Sequence, residues 1–304
     1  MKPTRPALSP GLSFMVAAAF FFSLMSLFVK LAGRGLPAAE LVFARSAFSL
    51  VTTWILLRRA GVRAWGRRKP LLVLRGLAGF AGLLCFFYAI TRIPLADVTV
   101  IHYTNPVLTA VFAAAVLGER IGRRELGGLA LSLAGVLLVA QPSFLFGGAN
   151  RLDLVAVGVA LAGACFAAIA YTTVRKLGET EHHLTVVFYF PLVATPASVP
   201  LLLREARWPT AGQWLLILGV GIAAQVAQIC LTKGLHAERA GRAMSMSYIQ
   251  VLFAAVWGLA FFGEVPNLAA AAGAILVILG TTAVAAPRTR AVGDSEAPRP
   301  PGAD

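Results

Sequence analysis

Residues 96–142 return as residues 241–287 at a constant offset of 145, without a gap. The first copy opens ADVTVIHYTNPVLTAVFAAAVLGER and closes GVLLVAQP; the second opens GRAMSMSYIQVLFAAVWGLAFFGEV and closes GTTAVAAP. The offset pairs Tyr103 with Tyr248, Glu119 with Glu264, Gly128 with Gly273 and Gly135 with Gly280. Upstream it still pairs Lys30 with Arg175 and Gly76 with Gly221. A register held over most of the chain implies two structurally equivalent halves. With 58% hydrophobic and 13% charged residues, against about 25% charged in a soluble domain, neither half can cover itself with polar surface. The repeat therefore lies in a membrane.

Apolar runs give ten spans near the ~20 residues a bilayer requires: 12–31, 37–57, 71–90, 95–117, 125–141, 152–174, 184–203, 213–234, 242–262 and 268–286. The first follows a basic start but lacks a small-residue cleavage pattern, so it reads as a span and not as a removed signal. Pro106 falls inside the fourth span and Pro191 and Pro196 inside the seventh; each removes a backbone hydrogen bond and predicts a kink. With the N-terminus inside, twenty of the 27 Lys and Arg lie on the inner side, Arg75 among them, and six on the outer side. Arg45, within a span, completes the 27. The split follows the positive-inside rule and requires an even number of spans. Five spans per half is odd, so the second half must enter from the opposite face. The expected fold is an all-α polytopic membrane protein, with ten transmembrane helices as two inverted five-helix repeats. The repeats occupy residues 12–142 and 152–287, and a proline-rich cytoplasmic tail, 288–304, is expected to be disordered. Ala, Gly and Arg richness points to a bacterial inner membrane, with both termini cytoplasmic.

The net charge of +14 does not indicate nucleic acid, because the basic residues sit in short loops between apolar runs. Cys85, Cys165 and Cys230 lie inside apolar runs and read as small buried hydrophobes, not as disulfides or metal ligands. No phosphate-cradling glycine loop is present, so the chain shows no ATP site. No cofactor or metal site is expected. The partners are a small-molecule substrate and the lipid bilayer, with the protein a monomer or homodimer.

ELVFAR at 40–45, LRGLAGFAGLLCFFYAI in the third span and PLADVTVIHYTNPVLTAVFAAAVLGE in the fourth resemble one family in order and spacing. SMSYIQVLFAAVWGLAFFGE and AAAGAILVILGTTAV continue the likeness in the second half. The chain resembles the EamA branch of the drug/metabolite transporter superfamily over residues 12–286. The resemblance implies substrate passage through a central cavity by alternating access. Substrates in such a family include amino acids, other metabolites, cofactors and toxic compounds, moved in either direction.

The halves differ where polar residues concentrate: Arg45 maps to Phe190, His102 to Ser247 and Asn105 to Gln250. The repeat is structural, while the pore chemistry is asymmetric. Arg45, Ser49 and Thr52 form one polar stripe at helical spacing, and an unpaired guanidinium within a span costs at least ~2.5 kcal/mol. Arg45 either holds an anionic part of the substrate through its planar fork or makes a structural ion pair or a contact to helix-end carbonyls. Glu40, five residues earlier, faces away from it and reads as a gate or first-turn glutamate. His102 and Asn105 share a face beside Pro106. His102 either couples transport to protons or donates one neutral hydrogen bond between helices. Tyr103 and Tyr248 clamp a substrate ring or pack. Gln225 has the better depth for a substrate contact of the pair Gln225 and Gln228. Gly118-Glu119 and Gly263-Glu264 read as loop closures, with each glutamate bonding the first amides of the next helix.

The leading function is secondary active transport of a small polar metabolite, amino-acid-like, cofactor-like or another organic solute, driven by protons or exchange. An enzyme is not expected. An intramembrane enzyme would need a catalytic cluster, and His182 and His183, beside Glu179 and Glu181, are adjacent residues that point apart on a helix. A passive channel is the other alternative.

Overall fold

The computed structural model describes residues 8–146, 153–205 and 207–286; the expected tail beyond residue 287 lies outside them. The first half comprises α1 (Pro10–Ala32), α2 (Ala38–Arg59), α3 (Lys69–Ile90), α4 (Leu95–His102), α5 (Asn105–Leu117), α6 (Arg123–Ala140) and the single turn α7 (Ser143–Phe146). The second comprises α8 (Leu154–Leu177), α9 (His183–Glu205), α10 (Ala211–Ala237), α11 (Ala240–Ser245), a 3-10 turn at Met246–Tyr248, α12 (Ile249–Phe262) and α13 (Leu268–Ala285). Helix starts are written locally. Ser9 accepts from the Leu12 amide with Pro10 in the first turn, Asp153 accepts from Val155 and Ala156, and Thr210 and Gln213 cap each other's amides at α10. These contacts satisfy amide groups that have no helical acceptor.

Among the described residues nine segments are apolar and long enough to span a bilayer, with α4 and α5 counted as one and α11 to α12 as another. The helix outside that set is α6, whose first turn carries Arg123, Arg124 and Glu125. Parity shows that it crosses too. Ser9 donates to Glu238, Glu238 pairs with Arg242 at 3.1 Å, and Arg242 donates to the Val284 and Ala285 carbonyls. The start of α1 and the end of α13 therefore meet on one face, termed here the terminal face, which demands an even number of crossings. Ten helices cross, as the sequence implies.

The packing is two-fold. Helix α1 lies along α10 as α8 lies along α3, while α2 packs on its repeat mate α9 and α6 on its mate α13. The α6–α13 seam shows the operation directly. Gly128 faces the Gly280 carbonyl and Gly135 faces the Gly273 carbonyl; the offset exchanges the two contacts. Glycine is required because backbone meets backbone on both sides. The halves are inverted. The turn at Gly118 lies on the terminal face, where Arg239 donates to the Arg120 carbonyl at 2.9 Å. The turn at Gly263 lies at the far end of α1, where Glu264 meets Lys30 at 2.5 Å. Both glycines hold the left-handed conformation, φ 68° and 66°, that the chain reversals need. Large apolar side chains such as Leu215, Phe261 and Ile275 stay exposed, as suits a surface bathed in lipid.

Two sequence expectations need revision. Arg75, counted among loop charges, is 2% exposed inside α3, because the helix starts at Lys69 and carries it inward by more than one turn. The glutamates after the glycines do not cap the next helix. Glu119 accepts from the Ala240 amide and from Arg175, both in the other half.

The seam generates a stability test. Gly135→Ala places a methyl 2.6 Å from the Gly273 carbonyl oxygen, where neither backbone can yield. It should cost about 1–3 kcal/mol, read as a lower unfolding midpoint of the purified protein in detergent. Gly127→Ala, whose added carbon meets nothing within 4 Å, should leave the midpoint unchanged or slightly raised.

Candidate functional site

A small cleft between α2, α9 and α10 is lined by Arg45, Ser49, Val187, Phe190, Pro191, Ala224 and Gln228. Arg45 and Ser49 reach it from one face of α2, as their four-residue spacing dictates. Thr52, the third member of the stripe, donates back to the Phe48 carbonyl at 2.7 Å. From α9, Pro191 has no amide to give the Val187 carbonyl, and both residues stand on the cleft wall. From α10, Gln228 reaches the cleft with Nε2 unpartnered. Gln225 points elsewhere, donating to Thr53 at 2.8 Å in a buried tie between α10 and α2.

The Arg45 guanidinium lies 5.5 Å from the Phe190 ring centroid and 3.6 Å from the Met25 sulfur. Positions 45 and 190 are repeat equivalents, so the two-fold axis brings them together: a cation from one half faces a ring from the other. Arg75 approaches the same ring, 5.4 Å from its centroid, with Nε unpartnered. Among the described residues no ion pair reaches either arginine. Geometry around one ring keeps the guanidiniums within about 11 Å of each other. At an effective dielectric near 20 that separation costs at least about 1.5 kcal/mol of repulsion, on top of burial. Arg75 and Phe190 were not singled out as site residues from the sequence. The available signal was the position of Arg75 within the apolar run LRGLAGF.

The remaining candidates gather on the same two-fold axis at the break between α4 and α5. Pro106 cannot donate to the His102 carbonyl; the Asn105 side-chain amide does so instead, at 2.7 Å. Tyr103 and Tyr248 stack at 5.9 Å and 28°, and the Tyr248 hydroxyl donates to the Tyr103 carbonyl at 3.0 Å. Tyr248 is fully buried. The His102 ring rests edge-on against Phe86 at 5.1 Å. The structure thus places Arg45 and Ser49 in the cleft, His102, Tyr103, Asn105 and Tyr248 around the helix break, and Gln225 in a helix tie.

One ion pair on each face is related to the other by the offset; the terminal face also carries Arg239–Glu125 and Arg242–Glu238. On the terminal face Arg175 pairs with Glu119 at 2.6 Å, with side chains 23% and 13% exposed. Arg175 also donates to the His236 carbonyl at 3.1 Å. On the opposite face Lys30 pairs with Glu264, with side chains 51% and 59% exposed. Asp97 and Glu40 are occupied structurally: Asp97 accepts from Ser143 and Glu40 from the Arg207 amide. His182 precedes α9 and folds back, so its ring lies 4.1 Å from that of His183 instead of pointing away. Glu181 is taken by the Arg67 and Arg68 amides, at 2.6 Å each.

Inverted five-helix halves enclosing a cleft with an unpaired cation define a polytopic membrane transporter. The chain belongs to the EamA-like transporter family, which matches residues 9–141 and again 154–286. It is 37% identical over 278 residues to the pseudopaline exporter CntI of Pseudomonas aeruginosa, covering 91% of this chain and 96% of that protein. Solute carrier family 35 member G1 of Mus musculus is 29% identical over 297 residues, covering 92% of this chain and 79% of the relative. A probable transport protein of Saccharomyces cerevisiae is 32% identical over 240 residues, covering 71% and 68%. A crystal structure with 18% sequence identity superposes with a TM-score of 0.80 over 90% of this chain and 95% of that one, which shows a shared fold.

Proposed function

We propose that the protein is a secondary active transporter that carries a small polar metabolite bearing an anionic group by alternating access. The observation that carries this reading is Arg45: a guanidinium on the wall of an intramembrane cleft, with no acid against it. A charge in that position is costly, and a substrate carboxylate or phosphate supplies what the fold does not. The Pseudomonas relative, by its name an exporter, favours export of a small metabolite. The excess of Lys and Arg on the terminal face supports a bacterial inner-membrane location with that face cytoplasmic. The proposed repeats are residues 12–142 and 152–287. Ser49, Tyr103, Asn105, Gln225 and Tyr248 are proposed to support substrate passage beside Arg45. Cleft and helix break lie on one axis, and a broken helix bends more readily than a continuous one.

A metabolite screen by thermal shift on purified protein identifies ligands, because a compound that binds the folded form raises its midpoint. Arg45→Gln should then weaken the hits by about 1.5–3 kcal/mol, roughly ten- to a hundredfold in affinity, and abolish vesicle transport. Intact affinity and transport in this variant would end the reading. Stoichiometric counterflow across vesicles distinguishes a carrier from a channel.

The two ion pairs are the proposed closures of the two faces. Glu119→Gln strips a charge partner from Arg175, at about 1–3 kcal/mol, equivalent to roughly 5- to 150-fold in the population open on the terminal face. In a background with the three cysteines replaced by alanine, Ser49→Cys should then react faster with impermeant maleimide applied to that face. Glu264→Gln should leave this rate unchanged, since its exposed pair contributes little.

His102 is the proposed proton-coupling residue. If it couples, uptake by His102→Gln vesicles loses its dependence on an imposed pH gradient. An unchanged gradient dependence removes His102 from the role.

A further inference from the structure

We propose that Arg45 and Arg75, which share the Phe190 ring, bind two separate carboxylates of a single substrate. The inference rests on the reading of Arg45 as substrate-facing and extends it to a substrate class: small organic diacids and larger metabolites that carry two spaced carboxylates.

The two guanidiniums approach one ring, 5.5 and 5.4 Å from its centroid. Arg75 is 2% exposed with Nε unpartnered. Its guanidinium occupies a notch left by Gly79, where an added carbon would lie 2.5 Å from Nη1. The fold thus makes room for this charge without neutralising it. Gln228 Nε2 on the cleft wall is also unpaired. A site with two cations, a spare hydrogen-bonding group and no anion is balanced by a ligand of charge minus two. A monoacid would leave one arginine as it stands. Each anchoring point offers one planar guanidinium, which matches a singly charged carboxylate in a bidentate pair. A phosphate concentrates up to two charges at one point, whereas two carboxylates supply one charge to each guanidinium. Arg75 does not line the present cleft.

The test measures binding to the purified full-length protein by titration calorimetry and thermal shift. The probes are malonate, succinate, glutarate and adipate, their monomethyl esters, and inorganic phosphate. At least one diacid should bind wild type, with its monomethyl ester about tenfold or more weaker. Arg75→Gln should erase that preference by weakening the diacid while leaving the monoester unchanged. Arg45→Gln should weaken both. If Arg75→Gln does not fold, Arg75→Lys, which keeps the charge and lacks the fork, should shrink the preference. The inference is overturned if no diacid binds wild type, if phosphate outbinds every diacid, or if the preference persists in the folded Arg75 variants. Such a result alongside abolished transport in Arg45→Gln removes the two-point site and leaves the transporter reading standing. Transport that survives Arg45→Gln removes both.

Discussion

Lipid cannot hydrogen-bond, and that constraint organises this molecule from its helix ends to its cleft. Every backbone polar group within the bilayer must find its partner inside the protein, so each departure from regular helix needs a local answer. At Pro106 the answer is Asn105, whose side-chain amide serves the His102 carbonyl that the proline abandons. At the same break Tyr248 gives its hydroxyl to the Tyr103 carbonyl from the other half. At the seam between α6 and α13 the answer is steric, with glycines that let two backbones meet. Among the described residues a scatter of buried side-chain atoms stays unanswered, Asn105 Oδ1 at the break and Ser132 Oγ at the seam among them, and near Phe190 these include Arg75 Nε and Gln228 Nε2.

The duplication explains why Arg45 lies against Phe190. A two-fold axis brings equivalent positions into contact only where they lie close to it. Two pairs of repeat mates meet in this way: Tyr103 with Tyr248, and Arg45 with Phe190. At the seam of α6 and α13 the axis instead exchanges two contacts between glycines that are not mates. Where the mates are identical, the contact packs. Where they have diverged, the axis produces a polar asymmetric site from a symmetric frame, as at the cleft beside Arg45.

The frame was legible in the sequence because it is written in long-range features: apolar runs, loop charge, parity and a fixed offset. The charged first turn of α6 left that helix weaker than its neighbours as an apolar span, and parity alone recovered it. Inversion was legible for the same reason. The site was legible only in part. Arg45 and Ser49 share a face by spacing within one helix, which the sequence carries. Arg75 reaches the same ring from another helix, and nothing in the spacing within α3 records that meeting. Gln225 and Gln228 share a helix face, yet one ties to Thr53 while the other reaches the cleft; side-chain partners across helices decided between them. The glutamates of the two Gly-Glu turns were read as local caps because sequence proximity favours local bonds, whereas the two-fold axis offered each a cation in the opposite half.

Those two turns also show how a symmetric frame can hold an unequal balance. The pair Arg175–Glu119 is partly buried and reinforced by the His236 carbonyl and the Ala240 amide. The pair Lys30–Glu264 is more than half exposed and contributes about 0–1 kcal/mol at most. On the proposed reading of these pairs as closures, the terminal face is held the more firmly. In a carrier working by exchange of two conformations, a ligand can shift the balance only by its difference in affinity between them. That difference must come from groups that change partners during the transition. Cations already matched by acids in the resting state have little left to give, whereas unmatched arginines at the axis can offer a bound anion their full interaction in one conformation and less in the other. On the proposed reading of Arg45, the charge that makes the cleft costly to fold is the same charge that lets a substrate drive the cycle.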